Sequence, residues 1–195
     1  FKIENWLPEM KTNWYALKSG NDIVTVSRFP IELELGQYCD NLHERIQAVL
    51  LQLDPTRKLV VFNSHLHCCE NDSARQLEAE SFIACVRQIQ SDGLDGRIDQ
   101  NTPFVLAGDL NLVGDSQQLD TLLNGTIINQ SIHGPSNPPD WDGTGVTDLI
   151  CRQTERRMAY TWRNDENGQN YWPGRMDFII YSDSVMTVDN HFVIY

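Results

Sequence analysis

Residues 58–66 read Lys58-Leu59-Val60-Val61-Phe62-Asn63-Ser64-His65-Leu66. The run is almost unbroken in apolar residues through Phe62, which is the pattern of a strand covered on both faces, and it turns polar where it ends. Some forty residues on, Thr102-Pro103-Phe104-Val105-Leu106-Ala107 repeats the design and runs straight into Gly108-Asp109-Leu110-Asn111. A third such strand is Arg175-Met176-Asp177-Phe178-Ile179-Ile180-Tyr181. Between the first two, Ser73 is placed to cap a helix whose buried stripe is Leu77, Phe82, Ile83, Val86 and Ile89, with Ser91-Asp92-Gly93 as its stop. Strand, helix and strand in that order make a layered α/β domain with a mixed sheet.

Outward from this centre, Asp22-Ile23-Val24-Thr25-Val26-Ser27-Arg28 is β-branched and closed by Phe29-Pro30, so it reads as a further strand. Leu42, Ile46, Val49, Leu50 and Leu53 recur at spacings of three and four. They predict an amphipathic helix from Asp40 as N-cap to a stop at Asp54-Pro55. A short helix over residues 116–123 ends at Asn124-Gly125, and residues 133–145, with three prolines and three glycines, form a long loop. Residues 190–195 read as one more strand.

The 195 residues carry 15 Lys+Arg against 27 Asp+Glu, a net charge of -12. That balance argues against tight non-specific binding to nucleic acid, which depends on basic side chains displacing counterions. No apolar run approaches the roughly 20 residues of a membrane span, and the first residues lack the pattern of a signal peptide, so the chain reads as soluble, cytoplasmic or exported. The five cysteines (Cys39, Cys68, Cys69, Cys85 and Cys151) are odd in number and irregular in spacing. They match neither a disulfide framework nor a zinc site, and Cys68 and Cys69 read as ordinary thiols. His133 reads as a surface residue.

Three strands end in polar pairs spaced by two: Asn63 and His65, Asp109 and Asn111, Arg175 and Asp177. In a strand that spacing puts both members on one face; His67 shares the parity of His65 and rivals it. A carboxylate that orients water, an amide that binds a phosphoryl oxygen and an imidazole that stabilises a crowded transition state together suit phosphoester hydrolysis, with a divalent metal to neutralise charge.

Asn63-Ser64-His65-Leu66, Gly108-Asp109-Leu110-Asn111 and Arg175-Met176-Asp177-Phe178-Ile179 resemble, in order, three motifs of the endonuclease/exonuclease/phosphatase superfamily, and Val26-Ser27-Arg28-Phe29-Pro30-Ile31 resembles the strand before them. The resemblance implies a deoxyribonuclease I-like fold: a four-layered α/β sandwich, two mixed β-sheets packed face to face with helices outside. It implies that His65 stabilises charge on the scissile phosphate, that Asp109 orients the attacking water and touches a metal, and that Asn111 binds a phosphate oxygen and joins the metal shell. Asp177 would position the family's catalytic histidine, Arg175 would support the site through a salt bridge, and Asn63 would be a further contact to substrate or a plain strand-end hydrogen-bonding residue. The implied cofactor is Mg²⁺, with Mn²⁺ as an alternative.

The family also places an Asn and a metal-binding Glu on its first two strands and ends in Ser-Asp-His. Residues 1–20 do not supply the former, Glu4 and Glu9 reading as surface carboxylates, and His191 does not match the latter. Residues 1–195 are therefore expected to be a single catalytic domain of this type, incomplete at both ends. The net charge favours a small or headgroup-like phosphodiester or phosphomonoester over a long DNA or RNA polyanion. Trp141, Trp162, Tyr171 and Trp172 could stack on such a ligand or staple the irregular segment to the core. The reading from another class is a non-catalytic binding domain that kept the fold and lost the metal.

Overall fold

The computed structural model describes residues 14–20, 22–113, 116–154, 157–163 and 172–192. Two sheets form. β1 (Tyr15–Ser19) and β2 (Ile23–Ser27) make an antiparallel pair, and six strands make a mixed sheet in the order β3-β4-β5-β6-β8-β7. Its members are β3 (Ile31–Glu34), β4 (Ile46–Gln52), β5 (Lys58–His65), β6 (Phe104–Asp109), β7 (Thr147–Asp148) and β8 (Asp177–Tyr181). β5 and β6 are parallel, joined by the long helix α1 (Asp72–Gly96), while β6 and β8 are antiparallel.

Alternate residues of β5 divide the layers. Phe62 packs edge-to-face on Phe82 of α1 at 4.9 Å and on Phe104 of β6 at 6.1 Å. Asn63, one residue on, faces the small sheet, where its Nδ2 donates to the Val24 carbonyl and the Thr25 hydroxyl, both at 3.2 Å. The described residues thus supply two facing sheets and one helical layer, with α2 (Gln117–Asn124) beside α1. Gly125 closes α2 in a left-handed conformation, and a Cβ there would stand 1.7 Å from the Asn137 carbonyl oxygen.

The helix expected over residues 40–54 is a correction: residues 46–52 are β4. Every position from Ile46 to Leu51 is buried, because α1 covers one face and the small sheet the other. A doubly covered strand has no polar face to impose a period of two, and its apolar residues met helical spacing by coincidence. Even Gln47 is buried, bonded to the Thr25 hydroxyl and the Leu17 carbonyl. Asp54 turns a β4–β5 hairpin rather than stopping a helix. Its Oδ1 accepts from the backbone N–H of Thr56 and Arg57, both at 2.9 Å, and these bonds with the Arg57 side chain hold the carboxyl down at about 2.

Smaller corrections follow. The N-cap of α1 is Asn71, not Ser73, and its last turn is broken by left-handed Gly93, Leu94 and Asp95. Residues 190–192 are not strand, and residues 193–195 lie outside the described residues. Cys39 and Cys85 form a buried disulfide with Cα atoms 5.0 Å apart, and Cys68 and Cys69 are joined to each other, so four of the five cysteines are not thiols. His133 is buried, closing the short helix α3 (Gln130–His133) against α1.

The α1–α3 contact is held by Glu80, fully buried. Burial pushes its carboxyl up, but hydrogen bonds from Gln76, the Asn129 side chain and the backbone N–H of Ile128 and Asn129 outweigh it and hold the group below its ordinary value. A depressed carboxylate contributes stability that is complete above its unfolded pKa and lost as pH falls through the folded one. Glu80→Gln is expected to cost about 2 kcal/mol at neutral pH, and urea denaturation as a function of pH should show wild type and variant converging in acid. The neighbouring His133 imidazole is held down mainly by burial, so its neutral form is the folded one and it too weakens the contact on acidification.

Candidate active site

The strand pairing sets three expected residues in one row. His65 of β5 is the register partner of Asp109 of β6, which is the partner of Asp177 of β8. The row crosses the sheet on the face turned away from α1. Gly108 lets β5 and β6 close up beside it: its φ is +144° and a Cβ would stand 1.9 Å from the Ser64 carbonyl oxygen.

Asp109, Asn111 and Asp177 line one open cavity of about 300 Å³ with Cys68, Cys69, Val113, Thr161, Trp162 and Met176. Asn111 takes a left-handed φ of 49°, and its N–H donates to Asp109 Oδ1 at 3.0 Å. Its Nδ2 donates to the Leu66 carbonyl at 2.9 Å, and its second amide hydrogen meets no acceptor among the described residues. Asp177 is exposed, and its N–H and that of Met176 donate to the Thr161 hydroxyl at 3.0 and 3.1 Å. The Thr161–Trp162 segment is tied down by antiparallel bonds between Trp162 and Gly174.

His65 is not in that cavity. Its ring lies in the adjoining hollow of about 80 Å³, lined also by Asp22, Glu44 and Arg45. Asp22 Oδ2 stands 3.7 Å from His65 Nδ1 and 3.9 Å from Arg45 Nη1, which donates to the His65 carbonyl at 3.1 Å. Asp22 was not singled out from the sequence, although an acidic residue directly ahead of a β-branched strand was a signal. Because both partners are partly exposed, the pair is screened by solvent. Asp22→Asn is expected to slow turnover about 3- to 10-fold, less than any loss on the row itself, read by steady-state kinetics.

The remaining candidates are elsewhere. Asn63 spends its amide on the small sheet, as described. Arg175 pairs with Asp148 of β7 and stacks over Phe178 at 3.9 Å. His67 is turned to α1, against the fully buried Glu78. Trp141 is stapled to the core by its Nε1 bond to the Thr102 carbonyl at 2.8 Å, whereas Trp162 lines the cavity and Trp172 is 88% exposed. Tyr171, Glu4 and Glu9 lie outside the described residues.

The chain matches the sequence model of the Endonuclease/Exonuclease/phosphatase family over residues 5–193. The chain belongs to this family. Among solved structures it is similar to a truncated TDP2 from Caenorhabditis elegans (TM-score 0.58, 14% identity, covering 92% of this chain and 66% of that one). It is similar also to a β-hairpin deletion mutant of beta toxin from Staphylococcus aureus (0.56, 12%, 98% and 73%). A further TDP2 structure from Caenorhabditis elegans gives 0.58 and 16%, with 92% of this chain covered and 51% of that one. At such identities the likeness is one of fold, the deoxyribonuclease I-like sandwich of the family, and the chain spans only half to three quarters of these proteins. No curated protein matches the chain by sequence. The activity class of the family is phosphoester hydrolysis.

A divalent metal is the cofactor that the family implies. Asp109 and Asn111 offer two oxygens to the cavity, but among the described residues no group of three His, Cys, Asp or Glu side chains stands close enough to hold an ion. They do not by themselves form a complete site.

Proposed function

We propose that the chain is the catalytic part of a divalent-metal-dependent hydrolase acting on a small or headgroup-like phosphodiester or phosphomonoester. The observation that supports this reading is the charge of the cavity. Its described lining carries two carboxylates, Asp109 and Asp177, and no Lys, Arg or His. A phosphoester anion entering it needs a compensating cation; Mg²⁺ would supply that charge, and Asp109 and Asn111 are the described residues that would help hold it. Mn²⁺ would serve the same oxygens.

The chain's own groups do the following. Asp109, anchored by the Asn111 N–H, orients the attacking water and draws its proton. The free hydrogen of the Asn111 amide binds a non-bridging phosphate oxygen. His65, one strand over and steadied by Asp22, donates to the oxygen on which charge gathers. Asp177, the register partner of Asp109, would position the family's catalytic histidine. Arg175 fixes the loop before β8 through Asp148 and does not reach the substrate, and Asn63 holds the two sheets together.

The net charge of -12 favours a compact substrate over a long polyanion. Side-by-side assays on bis(para-nitrophenyl) phosphate, para-nitrophenyl phosphate and duplex DNA test that choice, and faster cleavage of DNA at physiological salt would overturn it. The buried Cys39–Cys85 disulfide suits an oxidising compartment. No helix among the described residues is long and apolar enough to cross a membrane.

A further inference from the structure

Past the end of β5 the backbone passes through Leu66 and His67 to two adjacent cysteines. Cys68 and Cys69 are exposed, joined to each other, and part of the wall of the cavity that holds Asp109, Asn111 and Asp177. The other disulfide is of the opposite kind: Cys39 is 5% and Cys85 0% exposed, inside the core, where no reductant reaches them in the folded protein. The fifth cysteine, Cys151, is half-buried, and burial raises its thiol above the ordinary value, keeping it protonated and a poor nucleophile. Thiol–disulfide exchange with solutes therefore falls on one place in the described molecule.

That place is mechanically tied to the catalytic row. Leu66 donates its N–H to the Asp109 carbonyl at 3.0 Å and accepts the Asn111 amide through its own carbonyl. The fully buried Arg75 of α1 donates Nη1 to the carbonyls of His67 and Cys69, both at 2.8 Å, and Glu78 accepts the His67 N–H at 2.9 Å. Cys69 itself holds a positive φ of 67°. A bond between neighbouring cysteines closes a small ring through the peptide that joins them, so opening it frees the torsions of the same segment on which Asn111 leans.

We propose that Cys68 and Cys69 form a redox-active modification site on the wall of the catalytic cavity, opened by a dithiol reductant, and that its state sets how the cavity receives substrate. A thiolate of the reductant attacks one sulfur, the Cys68–Cys69 bond breaks, and a mixed disulfide forms; the second thiol then displaces the protein sulfur. In sum two electrons and two protons pass to the pair, giving two thiols, and the dithiol leaves as a disulfide. The existence of the couple is independent of the assigned reaction, whereas its effect on turnover rests on the hydrolase reading above.

The test uses the folded protein prepared without reductant, titrated with dithiothreitol, alkylated with iodoacetamide and read by peptide mass spectrometry. Cys68 and Cys69 are expected to be unlabelled at first and labelled together at low reductant, with Cys39 and Cys85 protected until denaturant is added. Labelling without reductant, or labelling only in step with Cys39 and Cys85, overturns the proposal. In parallel, KM for bis(para-nitrophenyl) phosphate is expected to differ between the two states by threefold or more, up to about the hundredfold that a shift of about 1 Å at a site can cost. Cys68→Ser and Cys69→Ser variants should not respond to reductant. Hydrolysis that is unchanged by confirmed reduction overturns the coupling alone, and no hydrolysis in either state overturns it together with the hydrolase reading.

Discussion

Asp109→Asn is expected to lower kcat for phosphodiester hydrolysis about 10³-fold, equivalent to about 4 kcal/mol of transition-state stabilisation, with KM changed far less. The substitution keeps the size of the side chain and its acceptor for the Asn111 N–H, so the backbone around Leu66 and Asn111 has no reason to move. What is lost is the negative charge that draws a proton from water and holds a cation in a cavity without basic side chains. Circular dichroism and thermal denaturation of the variant should match wild type, which separates a chemical loss from a folding one. A variant that retains kcat within about threefold removes Asp109 from the chemistry.

Phe62→Ala is expected to destabilise the fold by about 4 kcal/mol, which for a chain of this size lowers Tm by about 8–16 °C. Phe62 is wholly buried and touches Phe82 and Phe104, themselves 6.1 Å apart, so one ring joins β5, α1 and β6. The neighbours sit on regular elements and close poorly over a void. Differential scanning calorimetry checks this, and a loss below about 1 kcal/mol would mean that the three-ring cluster is not the centre of the core.

These two residues lie in the same stretch of logic that made the fold legible. β5 and β6 stood out because a covered strand leaves an apolar run and ends abruptly in polar residues, and β8 because its run Phe178-Ile179-Ile180-Tyr181 is apolar even though Ile179 is exposed. Part of the candidate site was legible for the same reason, since Asp109, Asn111 and Asp177 fall at those ends and line one cavity, while His65 lines another. β4 was misread because it too is covered on both faces but carries Gln47 and ends in hairpin residues, so its composition mimics a helix with one polar edge. The Cys39–Cys85 bond could not be read from two cysteines 46 apart in sequence. His133 looked like a surface group because a buried ionisable side chain is recognised by its partners, and it packs against α1 nearly fifty residues away, where Arg87 donates to its carbonyl. Asp22 was overlooked because its role depends on the approach of the small sheet to the end of β5, a tertiary fact that no local pattern encodes.

The central claim is that the cavity of Asp109, Asn111 and Asp177, with His65 in the hollow beside it, hydrolyses phosphoesters only with a divalent cation bound. The measurement is hydrolysis of bis(para-nitrophenyl) phosphate by the full-length protein stripped with EDTA and then titrated with Mg²⁺. The expected result is turnover that is absent in EDTA, rises saturably with Mg²⁺, and disappears at every Mg²⁺ concentration in Asp109→Asn. Turnover equal in EDTA and in Mg²⁺, or a saturable Mg²⁺ response preserved in the variant, contradicts the account.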